Sequence, residues 1–191
     1  MLGMNVMLLA LLGMQYVKNQ RIQEQIAGKV LRFHVLANSD TAEDQNLKLA
    51  VRDAVGSRMA ELLSDVPDRE ACEQVVEAHL PEIVETAQAV VREAGYEYEV
   101  HAAIEETEFP SKTYGKFTFP AGKYEALRVV IGEGEGHNWW CVLFPTLCTG
   151  FSYSEEYIQT GFTPEEYRMI TGGDRFKVKL RILEVIEGLL G

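Results

Sequence analysis

Two hydrophobic periodicities follow one another along this chain, and their order constrains the fold most strongly. The segment "KVLRFHVLANSD" (29–40) alternates apolar and polar side chains, which is typical of a strand with one buried side and places Arg32 and His34 on the other. Helical spacing follows, and period-two alternation returns in "YEYEVHAAIEE" (96–106) and "NWWCVLF" (138–144). Because helices and strands are segregated in this order, we predict an α+β fold in which an antiparallel or mixed β-sheet packs against two to three helices. An apolar helix is predicted at the N-terminus and an amphipathic helix at the C-terminus.

Capping and turn residues set the expected boundaries of these elements. Asp40 is predicted to cap the first helix of the domain, with Glu43 completing a capping box three residues later. Further along, "KTYGKFTFPAGKYEALRVVI" (112–131) is predicted to form a β-hairpin. Its arms are expected at residues 114–119 and 124–131, because "PAGK" between them supplies turn residues.

Two further helices are predicted after the strands. In "TPEEYRMITGG" (163–173), Thr163 is placed to cap a short helix that has Pro164 at its first position. Residues 176–190 carry apolar side chains near helical spacing with charged side chains outside, which predicts an amphipathic helix. Its apolar side either packs in the core or binds a partner or a membrane surface.

The first residues form an uncharged apolar run. No charged side chain occurs from residue 1 to residue 17, and Lys18 and Arg21 then close the run. This is about the length of a signal-peptide apolar region or a short membrane anchor. No lysine or arginine precedes the run, so an apolar N-terminal helix buried in the domain is the alternative. We expect residues 1–19 to be a signal peptide or membrane anchor, residues 20–28 a polar link, and residues 29–191 one α+β domain.

The charge balance bears on the possible partners. The chain has 18 Lys and Arg against 29 Asp and Glu, a formal net charge of −11. This excess repels phosphate backbones, and no basic stripe with interleaved aromatic residues offsets it. We therefore expect no nucleic-acid partner.

The motifs that usually mark an active site are missing from the sequence. Cys141 follows His137 by four residues, which on an extended strand places them about 13 Å apart. No Cys-x-x-Cys or His-x-x-x-His spacing occurs. We therefore expect no catalytic residue, metal site or cofactor. The alternative is an exported hydrolase, metal- or cysteine-dependent, that acts on cell wall or peptide through His34, Asp40 and either His137 or Cys141.

Both tryptophans stand together, next to a cysteine. On a strand, Trp139 and Trp140 point to opposite faces, so at most one is expected to enter the core while the other faces outward or lies under a loop. In an exported protein, the short spacing between Cys141 and Cys148 predicts a disulfide, with two buried thiols as the alternative. An outward aromatic residue beside a braced turn is typical of a recognition surface.

Three segments together resemble one family. They are "LRFHVLANSDTAEDQNLKLAVRDAV", "FPSKTYGKFTFPAGKYEALRVVIGEGEGHNWWCVLFPTLC" and "FKVKLRILEVIE", and the family is the stage II sporulation protein R family of endospore-forming bacteria. The most specific parts are "HVLANSD" (34–40) and "GHNWWCVLFP" (136–145). The matching positions are candidates for a structural or recognition role: His34, Asn38, Asp40, Gln45, Trp139, Trp140 and Cys141.

The resemblance implies a signalling protein and not an enzyme. Members are made in the forespore and exported into the space between forespore and mother cell, where they trigger a membrane-embedded aspartic protease of the mother cell. That protease cleaves the precursor of an early mother-cell sigma factor. The resemblance thus implies that residues 29–191 are a signalling domain, secreted into this space or tethered to the membrane by the N-terminal segment. A structural module with no receptor of its own is a third possibility.

Overall fold

The computed structural model describes residues 2–145 and 161–172, with side chains from residue 11 onward. The described helices are α1 (Leu2–Ala27), α2 (Ala42–Leu62), α3 (Arg69–Ala78), α4 (Leu80–Glu93) and α5 (Pro164–Thr171). The described strands are β1 (Leu31–Leu36), β2 (Val100–Phe109), β3 (Lys112–Tyr114), β4 (Phe117–Phe119), β5 (Gly122–Ile131) and β6 (Asn138–Phe144). The predicted amphipathic helix at residues 176–190 lies outside the described residues.

Four strands form a mixed sheet in the order β2-β5-β1-β6. The central pair, β1 and β5, is parallel, and the outer strands β6 and β2 run antiparallel to their neighbours. A parallel pair needs a long connection between its strands, and the chain supplies one that includes α2, α3 and α4. The predicted α+β class with a mixed sheet packed against helices is confirmed.

The predicted hairpin between residues 114–119 and 124–131 is wrong. β5 pairs instead with β2 over ten residues, and β3 pairs with β4 in a small separate sheet. Gly115, with a φ of 58°, allows the tight turn between β3 and β4. A six-residue arm would have satisfied fewer backbone groups of β5 than the ten-residue β2 does, which favours the observed pairing.

Both faces of the sheet are covered. On one face, the side chains of β1 pack against α2, α3 and α4, and the buried apolar residues there include Phe33, Val51, Met59, Val76, Ile83 and Leu127. On the other face lie α1, the β3–β4 hairpin and α5, and the buried residues include Ile26, Phe109, Phe119, Tyr124 and Ile170. The expectation that β1 buries one side only is wrong, since all six of its residues are buried.

The N-terminal helix predicted for the fold is present, and it is longer than the leader expected at residues 1–19. α1 continues through residues 20–27, which we had expected to form a polar link. Ile26 is fully buried and Ile22 nearly so, because this end of the helix packs on the second face of the sheet. In the described part of the chain, none of the helices combines the length and apolarity that crossing a membrane requires.

Candidate functional site at the carboxyl end of β1

The sheet brings several of the predicted candidates to one end of β1. Because β6 runs antiparallel to β1, with Leu36 opposite Asn138, the loop after β1 lies beside the connection before β6. Two backbone hydrogen bonds join these segments, from Gly136 N to Ala37 O (3.0 Å) and from Glu135 N to Asn38 O (3.2 Å). We call this region the β1–α2 junction: residues 37–48 together with residues 132–138.

Asp44 is the buried centre of the junction. Its carboxylate accepts hydrogen bonds from Asn38 Nδ2 (2.9 Å) and Ser39 Oγ (2.6 Å). Burial alone would raise the pKa of Asp44, but the hydrogen bonds from Ser39, Asn38 and Tyr98 together lower it. Asp44 is therefore an ionised carboxylate that orders the loop rather than a proton donor.

The glycine-rich run "GEGEG" (132–136) allows this close approach. Gly132 has a φ of 58°, and a Cβ at this position would collide with the side chain of Asn38. A Cβ at Gly136 would collide with the backbone of Ser39. Asn38 also accepts a hydrogen bond at Oδ1 from the backbone N of Glu133 (3.1 Å), so the connection is packed against the loop.

The prediction that Asp40 caps the first helix of the domain is wrong. Thr41 is the N-cap of α2, and its hydroxyl accepts a hydrogen bond from the backbone N of Asp44 (3.2 Å). Asp40 instead accepts a hydrogen bond from the backbone N of His137 (2.5 Å) and contacts the Nδ1 atom of the same residue. The hydrogen bond from His137 holds the pKa of Asp40 below its usual value. Both side chains are more than half exposed, so they form the outer surface of the junction.

Gln45 and Lys48 connect the junction to α2. Gln45 Nε2 donates to the backbone O of Ser39 (2.9 Å), and Lys48 Nζ donates to Gln45 Oε1 (2.5 Å) and to the backbone O of His137 (2.8 Å). Lys48 is buried, and burial lowers the pKa of its ammonium group. Among the predicted candidates, Asn38, Asp40 and Gln45 thus belong to one hydrogen-bonded unit.

The two tryptophans lie on opposite faces of β6, as predicted. Trp139 packs edge-to-face on Phe33 with ring centroids 5.6 Å apart, on the side of α2. Trp140 stacks on His34 on the other face, with ring centroids 3.8 Å apart. Both are half-buried against a hydrophobic cluster, so the expectation that at most one would pack inward is wrong. The reason is that the sheet is covered on both faces.

His34 is buried on the second face. It is 2% exposed, and burial outweighs the polar contact from Asn138 and lowers its pKa to about 4. The imidazole is therefore neutral at neutral pH. Its stacking on Trp140 and its edge contact with Phe109 (5.8 Å) give it a packing role.

Arg32 lies on the same face of β1 as His34, and its burial was not predicted from the sequence. It is fully buried, and Nη2 donates to Tyr114 Oη (3.2 Å), while Nε and Nη1 have no hydrogen-bond partner within the described residues. Four aromatic rings surround the guanidinium, with ring centroids 4.3–5.7 Å from its carbon: Phe109, Tyr114, Phe119 and Tyr124. The four rings lie on four different strands, β2, β3, β4 and β5, and converge only in the folded sheet, so no local pattern in the sequence identifies this cage.

The residues named for the alternative hydrolase are not assembled into one site. Of His34, Asp40, His137 and Cys141, only Asp40 and His137 are in contact. Cys141 is buried on β6, opposite Phe33, and its predicted partner Cys148 lies outside the described residues, so the disulfide stays a prediction. Across residues 2–145 and 161–172, no group of three or more His, Cys, Asp or Glu side chains is placed to hold a metal ion.

Comparison with known proteins identifies relatives of this chain. The family described as stage II sporulation protein R (spore_II_R) matches residues 27–153. The stage II sporulation protein R of Bacillus subtilis (strain 168) is 39% identical over 123 residues, which is 64% of this chain and 55% of that protein. The chain therefore spans about half the length of this curated relative. No solved structure matches.

Proposed function

Because the chain belongs to the stage II sporulation protein R family, we propose that it is an exported sporulation signal that activates a membrane-embedded aspartic protease by binding it. In this proposal the protease lies in the mother-cell membrane and processes the precursor of an early mother-cell sigma factor. The protein acts in the space between forespore and mother cell, and a docking event replaces any chemical step of its own.

The observation that carries the proposal is the coincidence of the family match with the junction. Residues 27–153 include the whole junction and both tryptophans. Asn38 and Ser39 donate to Asp44, and Gln45 donates to the backbone O of Ser39. Asp40 and His137 lie on the surface of this network. A surface held in one conformation by its own hydrogen bonds loses little entropy when a partner binds, which suits recognition.

The N-terminal segment favours the part of the proposal in which the protein is exported or tethered to a membrane. Large apolar side chains are exposed along α1, before the part of the helix that packs on the sheet: Leu11, Leu12, Met14 and Val17. Apolar side chains on a helix that projects from a domain are typical of contact with lipid or with a translocation apparatus.

A processing assay tests the proposal. The chain is exported in cells that carry the protease and the sigma-factor precursor, and cleavage of the precursor is followed by immunoblot. We expect Asp40→Ala and His137→Ala to reduce cleavage, because both residues form the outer surface of the junction. Glu61→Gln, on the exposed end of α2, is the matched control and should leave cleavage unchanged.

Two outcomes would contradict different parts of the proposal. Absence of cleavage with the unaltered chain, at confirmed export, would reject the signalling function. Normal cleavage with both junction variants would reject the junction as the recognition surface. The thermal midpoint of each purified variant shows whether a loss of cleavage reflects misfolding.

A further inference from the structure

We propose that the outer edge of β2 is a docking site for an extended, basic segment of another protein, which adds to the sheet as a fifth strand. The inference goes beyond the proposed function, because it holds whichever protein supplies the segment. Four observations support it: the position of β2, the direction of its backbone groups, its exposure and its charge.

β2 is a long and regular edge strand. It pairs with β5 along its whole length, from Val100 opposite Ile131 to Phe109 opposite Gly122, and the register has no interruption. No strand in the described part of the chain pairs with its other side. Soluble proteins usually protect such an edge with charged side chains (lysine above all), proline or a bulge. β2 has no lysine, proline or bulge, and it carries glutamates instead.

The backbone groups that point outward can be assigned from the hydrogen bonds. Glu99 O accepts from Gly132 N (2.9 Å), so Glu99 faces β5, and residues alternate in direction along an antiparallel pair. The amide groups of Val100 and of every second residue after it therefore point away from the sheet. These outward residues are Ala102, Ile104, Glu106 and Glu108.

The first part of this edge already binds an amide group in the manner of a strand. Gln88 of α4 donates from Nε2 to Tyr98 O (2.8 Å) and accepts at Oε1 from Val100 N (3.0 Å). The side chain thus occupies the place that a neighbouring strand would take. Beyond Val100, no residue within 2–145 or 161–172 bonds to the outward backbone groups of this edge, and the side chains of Ala103, Glu106 and Glu108 are exposed.

The charge of the edge selects the occupant. β2 contains three glutamates and no lysine or arginine. Glu105 and Glu106 are paired with Arg128 and Lys123 of β5, both at 2.8 Å, and Glu108 adds a further negative charge. A second copy of the chain would place this acidic strand against itself, which is unfavourable, whereas lysine or arginine on an added strand would be opposite carboxylates.

Binding of a defined peptide tests the inference. The probe is a synthetic peptide of about nine residues that alternates lysine and valine, with the same peptide carrying glutamate in place of lysine as its control. We expect the lysine peptide to bind the full chain and the glutamate peptide not to bind. Ala102→Pro removes one outward N–H without changing charge, and we expect it to raise the Kd at least about tenfold. Glu108→Lys should also weaken binding, and Glu93→Lys, the same charge change on α4, should not.

Amide hydrogen exchange of the unaltered chain, with and without the peptide, tests the inference even if a variant fails to fold. Addition of the lysine peptide should slow exchange at Ala102, Ile104, Glu106 and Glu108, the outward amides, and leave the amides bonded to β5 unchanged. Equal binding to the unaltered chain and to folded Ala102→Pro would overturn the inference, since charge alone would then explain the affinity. A dimer of the free protein that Ala102→Pro abolishes would overturn it in favour of a second copy as the occupant.

Discussion

The two faces of the four-stranded sheet are both buried, yet they are built from different chemistry. On the side of α2, α3 and α4, β1 contributes Leu31, Phe33 and Val35 to an apolar core. On the opposite side the same strand contributes Arg32 and His34, which lie among aromatic rings. Alternation along a strand shows that successive side chains part to opposite faces, but it does not show which face meets water.

The covers of the two faces also differ in origin. The helical cover comes from one continuous stretch of chain between β1 and β2. The other cover combines α1, the β3–β4 hairpin and α5, which are distant in sequence. Ion pairs from Lys18 of α1 to Glu165 (3.0 Å) and from Lys29, just after α1, to Glu166 (2.7 Å) join the N-terminal part of the chain to α5. The second face therefore depends on the N-terminal helix, and the first does not.

Shortening the chain should have the largest effect on this comparison. Removal of residues 1–28 eliminates Ile22 and Ile26, and each lost buried isoleucine costs about 2–5 kcal/mol. We expect the free energy of unfolding, measured by urea denaturation, to fall by at least about 4 kcal/mol. Removal of residues 1–14 keeps both isoleucines and should leave stability nearly unchanged. Equal stability of the two shortened chains would show that α1 is not part of the folded domain.

Substitution of the buried Arg32 on the second face and of Met59 on the helical face should affect stability for different physical reasons. Arg32→Ala should lower the free energy of unfolding by about 2–3 kcal/mol because it leaves a cavity inside the aromatic cage. Arg32→Met fills the space without a desolvated charge and should be at least as stable as the unaltered chain. The control is Met59→Ala on the helical face, where we expect a loss of about 2–5 kcal/mol. A large loss with Arg32→Met would mean that the cation–aromatic contacts outweigh the desolvation of the charge.

Acid should destabilise the second face through His34. Its pKa is lowered from 6.5 to about 4 in the folded state, so the unfolded chain takes up a proton that the folded chain does not. Stability should be complete above about pH 6.5 and fall as the pH approaches 4, by up to about 3 kcal/mol. His34→Leu should remove this slope, measured as the unfolding midpoint against pH, whereas His101→Gln, on the exposed side of β2, should keep it. An unchanged slope in His34→Leu would assign the effect to another group.

Substitution within the β1–α2 junction, which lies at the end of β1 and covers neither face of the sheet, should have a smaller effect on the free energy of unfolding. Asp44→Ala leaves the side chains of Asn38 and Ser39 without their acceptor, and we expect a loss of about 1–3 kcal/mol in the free energy of unfolding. Asp53→Ala, which removes an exposed carboxylate on the same helix, is the control and should have no measurable effect. Similar losses in both variants would indicate that helix propensity, not the hydrogen-bond network, is responsible.

Much of the local structure could be predicted because its causes lie within a few residues. Thr163 caps α5 as expected, with Glu166 completing the capping box and Pro164 at the first position. The opposite directions of Trp139 and Trp140 followed from the geometry of a strand. The candidates Asn38, Asp40 and Gln45 were found by resemblance, and the structure shows that they form one hydrogen-bonded unit.

By itself, the sequence determined the α+β class and the α5 cap, since periodicity and capping act over short distances. Only the tertiary structure decided the partner of β5, the burial of Arg32 and the cap of α2, because each depends on segments far apart in the chain. Asp40 and Thr41 are both suitable caps. The carboxylate of Asp40 accepts a hydrogen bond from the backbone N of His137, which is 97 residues away, and Thr41 therefore caps α2. No local sequence pattern shows which of Asp40 and Thr41 caps the helix, because the contact between Asp40 and His137 exists only after the sheet has formed.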